Sequence, residues 1–159
     1  MSNIIEINNL QKKYGHKEVL KGLNLTISSG QIVGLLGPNG CGKTTLLKTI
    51  VGLIKDYTGS ILIDGNPPNI HTKSIVSYLP EKTYLSNWMT VKDAFSLFND
   101  FYADFNIQKA RDMANALNLE EKQKISTMSK GMQEKIQLIL VMSRESKIYI
   151  LDEPIGGVD

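Results

Sequence analysis

The chain has 159 residues, of which 42% are hydrophobic and 21% are charged, a composition typical of one globular domain. Its 18 basic and 16 acidic side chains nearly balance, which argues against a general nucleic-acid binder. The single cysteine excludes an internal disulfide framework and fits a reducing compartment. The sequence shows neither a signal-peptide pattern nor an apolar run of ~18 residues, so we expect any membrane role to need a separate partner.

Short apolar or alternating runs predict strands along the first half of the chain, with one helix among them. The run "QIVGLLG" at 31–37 is continuously apolar, which is typical of a fully buried parallel strand. Residues 42–54 carry apolar side chains at helical spacing. The other predicted strands are residues 3–8, 17–27, 59–65 and 73–80.

The second half of the chain changes to a helical pattern. Thr90 is followed by Asp93 three residues later, a candidate capping box at the start of an apolar helical face. Further helices are predicted at 106–117 and 129–146, and the apolar "KIYIL" returns to strand. We therefore expect a helical block at 88–145 between two strands of one sheet.

The stretch "GPNGCGKT" at 37–44 matches G-x-x-x-x-G-K-[ST] between a predicted strand and a predicted helix. Its glycines allow the backbone to approach a phosphate closely, and the amides of 40–45 converge at a helix N-terminus that favours an anion. A lysine charge then faces the phosphates, and the next hydroxyl suits Mg²⁺. An incidental glycine-rich turn is the alternative. The predicted residues of this phosphate loop are Gly37, Pro38, Asn39, Gly40, Cys41, Gly42, Lys43, Thr44 and Thr45.

Cys41 occupies a variable position of the phosphate loop. It is either a small residue that fits there or a thiol made reactive by the helix N-terminus.

The apolar stretch "IYILDE" at 148–153 delivers two carboxylates to the end of a strand. In a parallel α/β sheet, ligands bind at this edge. After a phosphate loop, Asp152 is placed to hold Mg²⁺ through water, and Glu153 to orient or deprotonate an attacking water. An acidic pair at an ordinary strand end is the alternative.

Together these motifs resemble the ATP-binding subunits of ABC transporters, over nearly the whole chain. The stretch "MSKGMQEK" at 128–135 looks like the LSGGQ signature, and "LDEPIGGVD" looks like Walker B followed by the D-loop, here Gly156–Asp159. Tyr14 stands where the family has an aromatic residue that stacks on adenine, and "YLPE" at 78–81 stands where it has the Q-loop.

The resemblance implies an α/β fold of the P-loop NTPase class. Its parts would be a RecA-like core with an N-terminal antiparallel β portion (1–87 and 146–159) and an inserted helical subdomain carrying the signature (88–145). It further implies an ATPase with ATP and Mg²⁺ as cofactors, a second ATPase chain in a head-to-tail dimer, and a separate transmembrane permease. The protein would then lie peripherally at the cytoplasmic face of the cell membrane, with no nucleic acid as partner.

The family resemblance also assigns roles to individual residues. Glu153 would be catalytic, and Tyr14 would join the phosphate loop in nucleotide binding. The Mg²⁺ ligands would be Thr44, Glu81 and Asp152. The signature residues facing the ATP of the other chain would be Ser129, Lys130, Gly131 and Met132.

Several residues depart from the family pattern. Glu81 replaces the Q-loop glutamine, and a carboxylate can ligate Mg²⁺ but cannot donate a hydrogen bond. Lys130 and Met132 replace a glycine and the glutamine of the signature, and Gly156 replaces the first serine of the D-loop. Within the family, this Q-loop and signature are similar to those of exporters.

The family's histidine switch follows the D-loop, whereas His16 and His71 both precede Walker B. The chain therefore resembles a C-terminally truncated member, and we expect weak or no turnover from it alone. Two other functions stay open. One is an ABC protein that acts on ribosomes or DNA, and the other is a nucleotide-binding module without turnover.

Overall fold

The computed structural model describes residues 2–154, and the chain divides into two units, Met1–Ser74 and Ile75–Asp159. The first unit contains β1 (Asn3–Tyr14), β2 (Lys17–Ser28), α1 (Lys43–Ile50), β3 (Thr58–Ile63) and, at its end, α2 (Ile70–Ile75). The second contains β4 (Val76–Leu79), α3 (Val91–Phe101), α4 (Ile107–Ala116), a 3₁₀ turn (Ile125–Thr127), α5 (Lys130–Met142) and β5 (Ile148–Leu151).

The first unit is built on a three-stranded antiparallel sheet in the order β2-β1-β3. Ile5 of β1 pairs with Ile27 on one side and with Ile63 on the other. Alternate apolar side chains of β1 and β3 are buried, as expected for a sheet with one covered face. The predicted strands at 3–8, 17–27 and 59–65 are confirmed, and β1 continues six residues further than expected, to Tyr14.

Residues 31–37 do not form the predicted strand. The segment has no regular structure, and Ile32 and Leu36 are 102% and 93% exposed. A strand needs hydrogen-bonded neighbours. Within residues 2–154, β1, β2 and β3 pair among themselves and β4 pairs with β5, so no strand pairs with this segment. An apolar run indicates a preference for burial, but the pairing decides whether a strand forms.

The predicted strand at 73–80 is correct only in its second half, β4. The preceding residues form α2 because Asn69 and Thr72 cap it reciprocally. The Asn69 amide donates to Thr72 Oγ1 at 2.8 Å, and the Thr72 amide donates to Asn69 Oδ1 at 3.0 Å. Helix α1 also stops earlier than predicted, at Ile50, with Gly52 in the left-handed region at φ 74°.

The second unit packs α3, α4 and α5 around an apolar cluster with Phe95, Ile136 and Leu140 at its centre. The predicted capping box of α3 is confirmed. The Thr90 amide donates to Asp93 Oδ2 at 2.8 Å, and the Asp93 amide donates to Thr90 Oγ1 at 3.2 Å. The Thr90 amide and the Thr90 hydroxyl, which donates to Asp93 Oδ2 at 2.8 Å, both lower the pKa of the Asp93 carboxyl from its ordinary value.

Strands β4 and β5 pair in parallel, with Val76 opposite Ile148, so the helical block does lie between two strands of one sheet. The boundaries 88–145 of that block stay a prediction. No helix within residues 2–154 is long and apolar enough to cross a bilayer.

Buried Arg144 ties the helices of the second unit to these strands. Its guanidinium makes a bidentate contact with Asp104, at 2.9 Å and 3.0 Å, and donates to the Val76 carbonyl at 2.8 Å. It also lies 4.0 Å from the centroid of the Tyr102 ring. One side chain therefore connects the end of α5, the segment between α3 and α4, and the start of β4.

Candidate functional site

The phosphate loop leads directly into α1, which begins at Lys43. Gly40 and Gly42 have φ values of 77° and 102°, where residues with a Cβ are strained. A Cβ on Gly42 would also lie 3.0 Å from Val19 Cγ1 and 3.2 Å from the Val19 carbonyl oxygen. Gly42 is therefore required both by its backbone angle and by the close approach of β2.

The loop has its amides and its lysine at the same end of α1. The first helical hydrogen bond runs from the Leu46 amide to the Gly42 carbonyl at 2.9 Å, so the amides before Leu46 form the helix N-terminus. Lys43 Nζ donates to the carbonyls of Gly37 and Pro38, at 2.6 Å and 3.0 Å. The cation is thus folded over the loop, where an anion would be attracted to both groups. Thr44 and Thr45 follow in the first helical turn, and the Cys41 thiol is exposed.

The hairpin of β1 and β2 places Tyr14 in the same unit as the phosphate loop. Lys12 pairs with Leu20, whose Cδ2 would lie 3.3 Å from a Cβ on Gly42. Tyr14 pairs with Lys17, two residues and about 7 Å further along the strand. Tyr14 is 49% exposed. An exposed aromatic residue and the phosphate loop therefore lie along one hairpin.

The second unit holds the candidate acids at the carboxyl ends of β4 and β5. Tyr78 pairs with Ile150, and the Asp152 amide donates to the Leu79 carbonyl at 2.9 Å, which continues the register beyond β5. Side chains alternate along a strand, so Tyr78 and Asp152 share a face. Asp152 is buried, at 3% exposure.

The pKa of the Tyr78 hydroxyl is affected by these carboxylates. Burial raises the pKa of its hydroxyl to about 12, and the charges of Asp152 and Glu81 add to the shift. The buried hydroxyl has no hydrogen-bond partner in the described part of the chain. The negative charges of both Asp152 and Glu81 act on this hydroxyl, a feature that the sequence analysis missed.

Glu153 has a φ of 48°, the left-handed region, and its side chain is exposed. For a residue with a Cβ this conformation costs about 1–2 kcal/mol. Backbone strain of this kind concentrates at functional sites. The conformation turns the chain sharply immediately after the buried Asp152.

The signature residues lie at the start of α5. Ser129 is its N-cap, with Oγ accepting from the Met132 amide at 3.2 Å. Lys130 is exposed and lies 3.8 Å from the Glu134 carboxylate. Nothing lies within 4 Å of a Cβ built on Gly131. Met132 packs partly against the apolar cluster of the second unit, so three of the four residues stand at an open helix N-terminus.

The predicted site residues are divided between the two units of the chain. Tyr14 and the phosphate loop belong to the first unit; Glu81, Asp152 and Glu153 belong to the second. The D-loop at 156–159 lies outside the described residues. Joint action of Thr44, Glu81 and Asp152 on one ion stays a prediction.

The donor types fit Mg²⁺. This ion takes oxygen ligands, commonly one or two carboxylates together with substrate phosphates and water. Glu81 and Asp152 would supply carboxylates from the carboxyl-terminal sides of the paired strands β4 and β5. Over residues 2–154, no three His, Cys, Asp or Glu side chains gather into a cage for a metal, and Mg²⁺ bound with a nucleotide does not need one.

Comparisons with known proteins identify similar chains. The sequence model of the ABC transporter family matches residues 20–156. The aliphatic sulfonates import ATP-binding protein SsuB of Corynebacterium glutamicum is 35% identical over 159 residues, which cover 96% of this chain and 61% of SsuB. The lipopolysaccharide export system ATP-binding protein LptB of Haemophilus influenzae is 32% identical over 170 residues, covering 99% of this chain and 70% of LptB.

A solved structure of the ATP-binding subunit of an ABC transporter matches with a TM-score of 0.86 at 26% identity, over 98% of this chain and 68% of that one. The chain spans about half the length of other curated relatives that it matches, between 52% and 54% for three from Bacillus subtilis.

Proposed function

The chain belongs to the ABC transporter family, as an ATP-binding domain, and from this premise we propose that it binds Mg-ATP and that the whole protein hydrolyses ATP to power a separate transmembrane permease. One observation carries the proposal: the phosphate loop and the exposed Tyr14 ring lie along one hairpin, joined by the contact of Val19 with Gly42. In that arrangement the phosphate loop would bind a triphosphate, and the Tyr14 ring would contact an aromatic base.

Each part of the first unit would then have a role in binding. Lys43 Nζ would exchange the carbonyls of Gly37 and Pro38 for phosphate oxygens, which carry more negative charge. The amides at the start of α1 would donate to the same phosphates. The Tyr14 ring would stack on adenine, an interaction of planar faces.

The acids of the second unit would serve hydrolysis. Mg²⁺ neutralises charge on the phosphates when bound, and Thr44, Glu81 and Asp152 would hold it. Glu153 would orient the attacking water and accept its proton while the water oxygen bonds to the γ-phosphorus. The bond to the bridging oxygen breaks, giving ADP and phosphate.

The start of α5 would act on a second chain. Ser129, Lys130, Gly131 and Met132 would face ATP held by the phosphate loop of a partner chain in a head-to-tail dimer. The support is the resemblance to the signature together with the open helix N-terminus, which favours an anion. The dimer would lie peripherally at the cytoplasmic face of a membrane, with residues 88–145 as its helical subdomain.

We further propose export as the direction of transport. The named relatives include both an import and an export protein, so they do not decide the direction. The support is instead the resemblance of "YLPE" and the altered signature to those of exporters. Uptake of a labelled substrate into inverted membrane vesicles would test the direction, since export in the cell appears there as ATP-dependent accumulation.

We expect the 159-residue chain itself to turn over ATP slowly. Residues 31–37, which lead into the phosphate loop, are held by no strand ladder within residues 2–154. Misplacement of reacting groups by about 1 Å can cost ~10²-fold in rate. Steady-state phosphate release, compared with a Glu153→Gln variant, tests this. Release at about 1 s⁻¹ or faster that Glu153→Gln abolishes would contradict it.

The experiment that tests binding is a calorimetric titration with Mg-ATP. Lys43→Ala should weaken binding at least tenfold, or ~1.4 kcal/mol, because the phosphates lose their main side-chain partner. Lys48→Ala removes a lysine from the last turn of the same helix and should change little. Equal affinities of parent and Lys43→Ala would reject the assignment of the phosphate loop.

A further inference from the structure

Lys12 is a buried cation that the proposed binding mode does not use. Its side chain is 6% exposed, and its Nζ lies 2.9 Å from Asp56 Oδ2, whose own side chain is 97% exposed. Burial of an ammonium group is unfavourable unless it is paired. A lysine at an exposed strand position would keep its ammonium group in water and avoid this desolvation cost. Asp56 supplies that pairing, so the charge of Lys12 is held at a fixed place on β1.

The second contact of Lys12 is with the candidate adenine platform. Its Nζ lies over the Tyr14 ring, 4.9 Å from the ring centroid, within the range of a cation–π interaction. Tyr14 as a residue is 49% exposed. One face of the ring is thus covered by a cation that Asp56 anchors, while much of the ring stays open to solvent.

The location of this pair relates the ring to the phosphate loop. Lys12 pairs with Leu20, which lies against Gly42. The ring therefore projects from the strand segment whose neighbour supports the phosphate loop. Fixing its orientation would fix where a base can stack relative to the phosphates.

We propose that Lys12 is a positioning residue for the nucleobase: anchored by Asp56, it holds the Tyr14 ring so that the open face receives the base. The inference rests on the proposed function, in which Tyr14 stacks on adenine. Ordering the ring before binding removes an entropic cost that an unsupported side chain would meet when ATP binds. The effect of Lys12 should pass through Tyr14 and depend on the presence of a base.

The test compares two probes, Mg-ATP and inorganic tripolyphosphate, which has no base, by calorimetric titration of each variant. Lys12→Met should weaken ATP binding about three- to tenfold and leave tripolyphosphate binding unchanged. In a Tyr14→Ala background, Lys12→Met should cause no further loss. Lys13→Met is the matched control, because Lys13 is the exposed neighbour on the same strand, and it should bind both probes like the parent.

Three results would overturn the inference: equal loss of both probes, which indicates a general charge or structural effect; the same loss without Tyr14; or no loss at all. Asp56→Asn removes the negative charge that anchors the ammonium group and should weaken ATP binding alone, which keeps the test decisive if Lys12→Met does not fold. If Tyr14→Ala binds ATP like the parent, the adenine platform itself fails. If Tyr14→Ala loses affinity but Lys12→Met and Asp56→Asn do not, only the role of Lys12 fails.

Discussion

Alanine substitutions can separate two constraints on the phosphate-loop glycines, the left-handed backbone conformation and the close packing of β2. Gly131, in α5, serves as the reference. Gly131→Ala meets open space in the first turn of a helix, so it should be neutral or stabilising by up to about 1 kcal/mol. Gly40→Ala also meets open space but has a φ of 77°, which should cost about 1–2 kcal/mol. Gly42→Ala adds to that strain a Cβ 3.0–3.2 Å from Val19, and overpacking of this kind costs about 1–3 kcal/mol more.

The free energy of unfolding in urea should therefore fall in the order Gly131→Ala, Gly40→Ala, Gly42→Ala, with the last about 2–5 kcal/mol below the parent. Val19→Ala removes the Cγ1 contact but not the carbonyl contact, so it should recover part of the extra loss in Gly42→Ala and none in Gly40→Ala. Equal losses at Gly40 and Gly42 would refute the packing of β2 on the phosphate loop, and with it the placement of Tyr14 beside that loop.

Three further substitutions or titrations test the second unit. Arg144→Met should destabilise the protein to urea by about 3–5 kcal/mol, because it leaves the partly buried Asp104 without its bidentate partner; a loss below about 1 kcal/mol would contradict the linking role of Arg144. Ultraviolet titration should show a tyrosine ionising near pH 12 that Tyr78→Phe removes. Since the unfolded pKa is about 10, stability should fall as the pH rises between about 10 and 12, and a flat profile would contradict the burial of this hydroxyl. Thr90→Val should raise the pKa of Asp93, measured by carboxyl NMR, because its hydroxyl no longer bonds the carboxylate.

Local sequence signals located the parts of the site that depend on local geometry. The spacing of glycines, lysine and threonine placed the phosphate loop at a helix start, and Thr90 with Asp93 placed the start of α3. Both features are decided by residues three or four positions apart, within the reach of backbone hydrogen bonds. The sequence carries such short-range information directly.

Features set by pairing between distant segments were harder to predict. The apolar run at 31–37 indicated a buried strand, but a strand depends on a neighbour, and none pairs with it within residues 2–154. Lys12 looked like an ordinary strand lysine, since its partner Asp56 is 44 positions away. Tyr78 is explained by Asp152, which a parallel strand brings beside it from 74 positions further along. The spacing of Lys12 and Tyr14, two residues apart on one strand, was the signal that could have indicated the contact between them.

An ATP titration followed by amide and tyrosine-ring chemical shifts tests the central claim most directly. With saturating Mg-ATP, we expect the largest shifts at the amides of 40–45 and at the Tyr14 ring, where the structure places the phosphate loop and the exposed aromatic surface. The Lys13 and Lys48 amides provide nearby references that should move less. Saturable binding with its largest shifts away from both the loop and Tyr14, or no saturable binding at all, would contradict the account.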